Sequence, residues 1–320
     1  VNPFTDNSSL SVGALGERRL IRKLRDWLGA ATAPAPFGIG DDCAVLPATG
    51  ARKLLVTTDP VIYGRHFDDS LSPAAAAEKL LKRNLSDIAA MGGVPRSAVV
   101  SLALPRRVSL AWIRGFYRAL GRCARQYEVT IAGGDIAESA NMLGAFLTLV
   151  GEAGGARVLT RQGARAGDWI YATGELGGSI LGKHHRFTPR LSEGRWLAGR
   201  REVRCLMDLS DGLAKDLLEL TPAGLVPALS ASALPISRAA HTLAKRDGRT
   251  AIDHALSDGE DFELLFAIAA RTDRAAFEKA WRARFATRLS CIGRFVRTGA
   301  TIPDAIPLSH YHGYEHLAGA

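Results

Sequence analysis

Aspartates recur in one kind of place along this chain. They stand at the ends of apolar runs or inside glycine turns: Asp41 and Asp42 after Gly40, Asp59 after Thr57-Thr58, Asp87 in Asn84-Leu85-Ser86-Asp87, Asp135 after Gly133-Gly134, Asp208 and Asp211 around Leu209-Ser210, and Asp261 beside Glu260. Turns favour Asp because its carboxylate accepts from nearby backbone N–H groups, so each one singly also has a structural reading. The set points further. Carboxylates and hydroxyls are hard oxygen donors, the kind Mg2+ takes together with water and phosphate oxygens. Phosphoryl transfer needs such ions because its reacting parts are all anionic. Hydrolytic sites fit less well: there is no G-x-S-x-G and no H-E-x-x-H in the chain.

Asp87 is the most informative of the set. At helical spacing Leu80, Asn84, Asp87 and Met91 share a stripe flanked by Leu81, Leu85 and Ile88, with Lys79, Lys82, Arg83 and Ser86 on the other side. A carboxylate beside an apolar face costs several kcal/mol unless it is paired or metal-bound. Both readings stay open here: a buried Asp satisfied by backbone N–H groups or an Arg, and a metal ligand. Residues 177–183 read G-x-x-x-x-G-K after a strand-like run at 169–173, but His184 follows where Ser or Thr would bind Mg2+. We expect no phosphate loop there, and no dinucleotide glycine fingerprint follows a strand elsewhere.

The elements that must carry these residues alternate in type. Leu15-Gly16-Glu17 opens an amphipathic helix with Leu20, Ile21, Leu24 and Leu28 on one face, ended by Gly29 and the Ala/Pro run 30–36. Strands are expected at 53–58, ending at Asp59, at 98–104, at 129–132, breaking at Gly133, and at 142–150. Ser72-Pro73 is an N-cap and N1 pair for a helix running to Met91, and 110–127 is a second helix. Beyond a small-residue stretch at 151–156, strands are expected at 169–173, 204–206, 262–267 and 289–296, with helices at 213–220 and 274–284. The mixture is α/β or α+β. The length of 320 residues suggests two domains, 1–152 and 153–320.

Composition is that of a globular chain, 47% hydrophobic and 23% charged. No run reaches the ~18 apolar residues of a membrane span, and Val1-Asn2-Pro3-Phe4-Thr5 does not resemble a secretion signal. Cys43, Cys123, Cys205 and Cys291 are far apart and form no C-x-x-C, which fits buried thiols in a reducing cytoplasm. The net charge of +9 is scattered, with no long basic run and no nucleic-acid motif, so it is expected mostly on solvated faces rather than in a nucleic-acid surface. His184-His185 and His310, His312 and His316 are expected in solvated loops, and the five tryptophans in packing roles.

Several blocks in order resemble the thiamine-monophosphate kinase family, in the superfamily that also holds aminoimidazole ribonucleotide synthetase and selenophosphate synthetase. They are Gly40-Asp41-Asp42-Cys43-Ala44-Val45-Leu46, Thr57-Thr58-Asp59, Gly64-Arg65-His66-Phe67, Asn84-Leu85-Ser86-Asp87-Ile88-Ala89-Ala90-Met91-Gly92, Gly133-Gly134-Asp135, Leu159-Thr160-Arg161, Asp208-Leu209-Ser210-Asp211-Gly212-Leu213 and Gly259-Glu260-Asp261-Phe262-Glu263-Leu264. The resemblance implies a homodimer of two-domain protomers. The N-terminal domain would bind ATP and Mg2+ and pair its sheet across the dimer, and a mixed α/β C-terminal domain would complete the cleft. It implies ATP-dependent phosphorylation of thiamine monophosphate, with several Mg2+ ions on Asp42, Thr57, Thr58, Asp59, Asp87, Asp135, Asp208 and Asp211. Gly134, Asp135, Arg161, Ser210 and Tyr117 would touch ATP, and His66, Glu260 and Tyr314 the thiamine side. Asp87, Asp211 and Arg161 would carry catalysis. An acceptor phosphate, with a second pKa near ~6, needs no general base, so direct transfer without a phosphoenzyme is expected.

Some positions depart from the family's pattern: Pro60 after the Thr-Thr-Asp block, Lys82-Arg83 before Asn84, Ile136-Ala137 after Asp135, Ser257-Asp258 before Gly259, and Leu317. They leave two alternatives, a superfamily enzyme acting on another phosphorylated small molecule and a non-catalytic nucleotide-binding regulator.

Overall fold

The structure, a computed structural model, describes residues 14, 17–28, 40–48, 53–155, 157–300 and 305–315. The expected helix start at Leu15-Gly16, the 30–36 break, and His316 and Leu317 lie outside them. In chain order the elements are α1 (Glu17–Leu28), β1 (Ala44–Pro47), β2 (Lys53–Ile62), α2 (Pro73–Ala90), β3 (Gly93–Leu104), α3 (Leu110–Gln126), β4 (Thr130–Glu138) and β5 (Gly144–Ala153). Then follow β6 (Trp169–Thr173), α4 (Lys183–Arg186), α5 (Leu191–Ala198), β7 (Val203–Asp208), α6 (Leu213–Leu220), β8 (Leu225–Leu229), α7 (Arg238–Asp247), α8 (Ala251–Ser257), β9 (Leu264–Ile268), α9 (Arg274–Arg282) and β10 (Leu289–Arg297).

The strands form two five-stranded sheets, β1-β2-β5-β3-β4 and β7-β9-β6-β10-β8. In the first, β3 and β4 run parallel around the crossover helix α3, and every other pair is antiparallel. Helices α2 and α3 bury one of its faces through Leu80, Leu81, Leu85, Ile88, Phe116 and Leu120 against Ala98, Val100, Leu147 and Leu149. The second sheet is wholly antiparallel. Local chemistry sets the helix starts. Ser72 Oγ accepts from Ala75 N–H with Pro73 following, and Ser109 caps α3 in the same way.

Three expectations change. β2 does not stop at Asp59 but runs on to Ile62, because β5 pairs with it continuously, Asp59 opposite Leu147 and Pro60 opposite Phe146. Pro60 is tolerated there because β1 pairs with β2 only as far as Val56, leaving the other edge open. β4 likewise runs through Gly133-Gly134-Asp135 to Glu138. A Cβ on Gly134 would sit 1.9 Å from the Val100 carbonyl oxygen, so glycine lets the two strands close up. Finally, α2 has no polar side: Lys79, Lys82 and Ser86 are buried as well as its apolar stripe. The second half of the chain packs on that face, with Gly194 of α5 so close to the Ala89 carbonyl oxygen that a Cβ there would lie 2.0 Å away.

Candidate active site

A cavity of about 340 Å³ opens where α2 and β2 meet the end of β7. Its walls include Asp41, Asp42, Thr57, Thr58, Asp59, Arg65, His66, Arg83, Asp87, Arg161, Asp208, Ser210, Asp211, Glu260 and Tyr314. Most of the residues singled out in the sequence are thus gathered in one place.

Asp42, Asp87 and Asp208 form its floor, each with a carboxylate oxygen within 4.8 Å of the others. They come from the turn before β1, from inside α2 and from the last residue of β7. Hydroxyls meet two of them: Thr57 Oγ1 donates to Asp87 Oδ2 at 2.5 Å and Ser86 Oγ to Asp208 Oδ2 at 2.6 Å. Burial and then the Asp42 charge push Asp208 up to about 8. Burial and the neighbouring Asp42 raise Asp41 to about 7. Asp87 rises too, through burial and then Asp59, Asp208 and Asp42. Acids pushed this way by burial and by one another favour any cation that replaces their protons. The oxygen-only donor set suits Mg2+.

Cations already line the cavity. Arg161 grips Asp42 with Nε at 3.2 Å and Nη2 at 2.8 Å, and its backbone N–H donates to Asp41 Oδ2 at 3.1 Å. Arg83 Nη2 donates to Asp59 Oδ1 at 3.2 Å and Nη1 to the Pro60 carbonyl at 3.0 Å. Lys215, one helical turn on from Asp211, reaches Asp211 Oδ2 at 2.7 Å. Thr58 touches the cavity, but its hydroxyl donates to the Leu147 carbonyl at 3.1 Å. Successive strand side chains face opposite ways, which separates it from Thr57 and Asp59.

The loop carrying Ser210 and Asp211 is held from below. Asp216 Oδ2 accepts from the N–H groups of Ser210, Asp211 and Gly212 at 3.0–3.2 Å. Two non-glycine residues at positive φ, Glu260 (51°) and Phe262 (50°), lie beside it. Such backbone persists where surrounding contacts enforce it; here Glu260 N–H donates to the Ser210 carbonyl at 2.7 Å and Phe262 N–H to that of Leu209 at 2.8 Å. Tyr314 N–H donates to the Asp211 carbonyl at 2.8 Å, and the Arg65 guanidinium lies 5.2 Å from the Tyr314 ring centre.

His66 and Glu260 are fixed by their neighbours. His66 Nδ1 accepts from Ile62 N–H at 3.1 Å. Lys79 Nζ, almost wholly buried, donates to the His66 carbonyl and to Glu260 Oε2, each at 2.9 Å, and lies 3.0 Å from His184 Nδ1. His184 is therefore not a solvated loop histidine: it is 5% exposed on α4, and burial followed by the Lys79 charge lowers it to about 4. Lys79, Arg83, Lys215 and Asp216 were not expected at the site. The partners of Lys79 and Arg83 lie on other elements, whereas Lys215 and Asp216 pair within the 210–216 segment, where the four-residue spacing of Asp211 and Lys215 was the available signal.

Gly134, Asp135 and Tyr117 are placed elsewhere in the protomer. The first two lie on the exposed edge strand β4, and Tyr117 is 38% exposed on α3. The G-x-x-x-x-G-K run is not a phosphate cradle. Gly177 N–H donates to Asp261 (2.9 Å) and Gly178 N–H to Asp258 (2.7 Å), while Lys183 pairs with Glu263 at 3.1 Å. Carboxylates of the chain itself hold the amides a phosphate would need.

Comparison with known proteins agrees with this geometry. Residues 40–153 match the family model of AIR synthase related protein, N-terminal domain. The thiamine-monophosphate kinase of Rhodopirellula baltica is 39% identical over 72% of this chain and 76% of its own. That of Salmonella typhimurium is 33% identical over 95% of this chain and 99% of its own. Among solved structures, AaThiL complexed with AMPPCP and TMP superposes with a TM-score of 0.80 at 28% identity, covering 96% of this chain and 99% of that one. With such identity across nearly its whole length, and with the fold shared, this chain belongs to the thiamine-monophosphate kinase family.

Proposed function

We propose that this enzyme transfers the terminal phosphoryl group of ATP to thiamine monophosphate, yielding thiamine diphosphate and ADP. The observation that carries the reading is the meeting of Asp42, Asp87 and Asp208 in one cleft whose other walls present His66, Glu260 and Tyr314. Mg2+ would be held by Asp42, Asp87 and Asp208, with Thr57, Thr58, Asp59 and Asp211 as the further cavity oxygens that the family resemblance implies; Asp135, which it also implies, stands on β4 away from this cavity. When bound, it would neutralise phosphate charge and orient the two substrates. Arg161 and Ser210 face the same cavity and suit the nucleotide. His66, Glu260 and Tyr314 suit the acceptor.

The acceptor phosphate is already nucleophilic near neutral pH, since its second pKa is ~6. The residues therefore have to align and neutralise rather than remove a proton. An acceptor oxygen bonds to the terminal phosphorus as the bond to ADP breaks, in line and without a phosphorylated residue.

We further propose a homodimer in a reducing cytoplasm. Val99, 44% exposed, stands on the face of the first sheet that no helix among the described residues covers, and Ile136, 69% exposed, on its edge strand β4. A second copy there would also cover the edge strand bearing Gly134 and Asp135. Residues 1–152 would form the ATP, metal and dimerisation domain and residues 153–320 the domain that completes the cleft.

The test is ADP release with ATP and Mg2+, with and without thiamine monophosphate, the product being identified by chromatography. Thiamine diphosphate formed only with all three components supports the reading. ADP release with another phosphorylated acceptor and none with thiamine monophosphate overturns it.

A further inference from the structure

The acidic cavity has an inner and an outer zone, and the chain treats them differently. The inner carboxylates of Asp87 and Asp208 are met by the hydroxyls of Thr57 and Ser86. The outer ones, Asp59 and Asp211, are 27% and 32% exposed, and each carries a basic side chain that is itself largely buried, Arg83 (12% exposed) and Lys215 (13%). Both cations are fixed by a second contact, Arg83 to the Pro60 carbonyl at 3.0 Å and Lys215 to the Tyr314 carbonyl at 2.6 Å. The Arg83 Nε is buried and has no acceptor. The guanidinium stays in place nonetheless, so its bonds to Asp59 and Pro60 outweigh an unmet donor.

We propose that Arg83 and Lys215 are resident cations that take the place of divalent ions at Asp59 and Asp211, so that this enzyme gathers its divalent metal on Asp42, Asp87 and Asp208. The inference rests on the reading of the cavity as a metal-binding phosphoryl-transfer site and narrows it. A carboxylate matched one for one by a fixed cation attracts a second cation weakly, because the guanidinium or ammonium repels the incoming ion at close range. Asp42 also meets a cation, Arg161, but that single charge stands among Asp41, Asp42, Asp87 and Asp208, so the inner group stays rich in acid. Both cations are tethered by a second contact, so they neutralise substrate phosphate without depending on free metal concentration. The departure at Arg83 and the one at Pro60 thereby become one feature: the Pro60 carbonyl and the Asp59 carboxylate together seat the guanidinium.

The experiment counts Mn2+ bound to the full-length protein with AMPPCP, by equilibrium dialysis and by loss of the free-ion electron paramagnetic resonance signal. The proteins compared are the wild type, Arg83→Leu, Arg83→Gln, Lys215→Leu and the double variants Arg83→Gln/Asp59→Asn and Lys215→Leu/Asp211→Asn. The expected result is one added ion, or at least a ~10-fold tighter weakest step, in each single variant, with the gain abolished in the matching double. Arg83→Gln keeps the side chain's size and polarity should Arg83→Leu fail to fold. Counts and affinities within about two-fold of the wild type in the single variants, or a gain that survives in the doubles, overturn the inference and leave the metal reading standing. No Mn2+ bound to any of the proteins overturns both.

Discussion

The two sheets have the same number of strands and opposite surroundings. β9 reads Leu264–Ile268 and is buried at every position. Leu213, Leu217 and Leu256 pack on one side of its sheet, and Phe277, Trp281 and Leu197 on the other. Among the described residues, helices cover the first sheet on one face only. β3 alternates accordingly, Ala98, Val100 and Leu102 buried and Val99 and Ser101 exposed. Continuous apolar strands belong to sheets covered twice and alternating ones to sheets covered once. The difference divides the labour. The second sheet is a rigid platform that delivers Asp208 to the cleft. The first turns its covered side to α2 and the cavity carboxylates, and leaves its other side and the edge of β4 exposed.

Four experiments test that contrast, the largest effect first. Asp87→Asn and Asp208→Asn should each lower kcat/KM for thiamine diphosphate formation by about 10³-fold or more, roughly 4 kcal/mol of transition-state stabilisation. Their Tm in EDTA should hold or rise, because one of several mutually repelling buried acids has gone. A Tm loss as large as that of a core truncation, with near-normal turnover, would place them in the scaffold instead.

Phe266→Ala in the doubly covered sheet should cost about 3–5 kcal/mol in urea unfolding. Val99→Asp on the bare face should leave the circular dichroism unchanged and turn the proposed dimer into a monomer by light scattering. If Val99→Asp unfolds the protomer instead, the first sheet is not one-sided in solution.

The smallest effect is that of pH. Asp208 and Asp41 have folded-state values raised to about 8 and about 7 from an ordinary 3.8. The ion-free folded protein therefore holds protons that the unfolded chain has lost, and its stability falls as pH rises from about 4 to about 8. Divalent binding displaces those protons and tightens over the same window, by at most about tenfold per pH unit for each proton released. Melting curves in EDTA and Mn2+ titrations from pH 5 to 9 check both signs; stability that climbs with pH in EDTA would show the cluster ionised and already paired.

Much of this was legible in the chain, and the failures have physical causes. Caps and turns work locally, so the helix after Ser72 and the strand at Trp169 fell where their residues indicate. α5, α7, α8 and β8 were not anticipated, because short or weakly patterned segments take their form from what they pack on. Stopping β2 and β4 at an Asp or a glycine pair was reasonable turn chemistry, but a neighbouring strand offering continuous hydrogen bonds outweighs it. The charged side assigned to α2 is buried because a second half of the molecule, invisible to helical periodicity, comes down on it. That contact also turns Lys79 and His184, 105 positions apart, into neighbours.

By themselves the residues determined the class of chemistry and the family. Oxygen donors repeated at turns and strand ends, in a particular order of blocks, are local facts that survive without coordinates. The tertiary structure alone decided which carboxylates share a cavity and which leave it, and which of them receive a hydroxyl, an arginine or a lysine. Those outcomes depend on distances between groups far apart in the chain. Burial and Coulomb interaction act through space, and no local pattern records them.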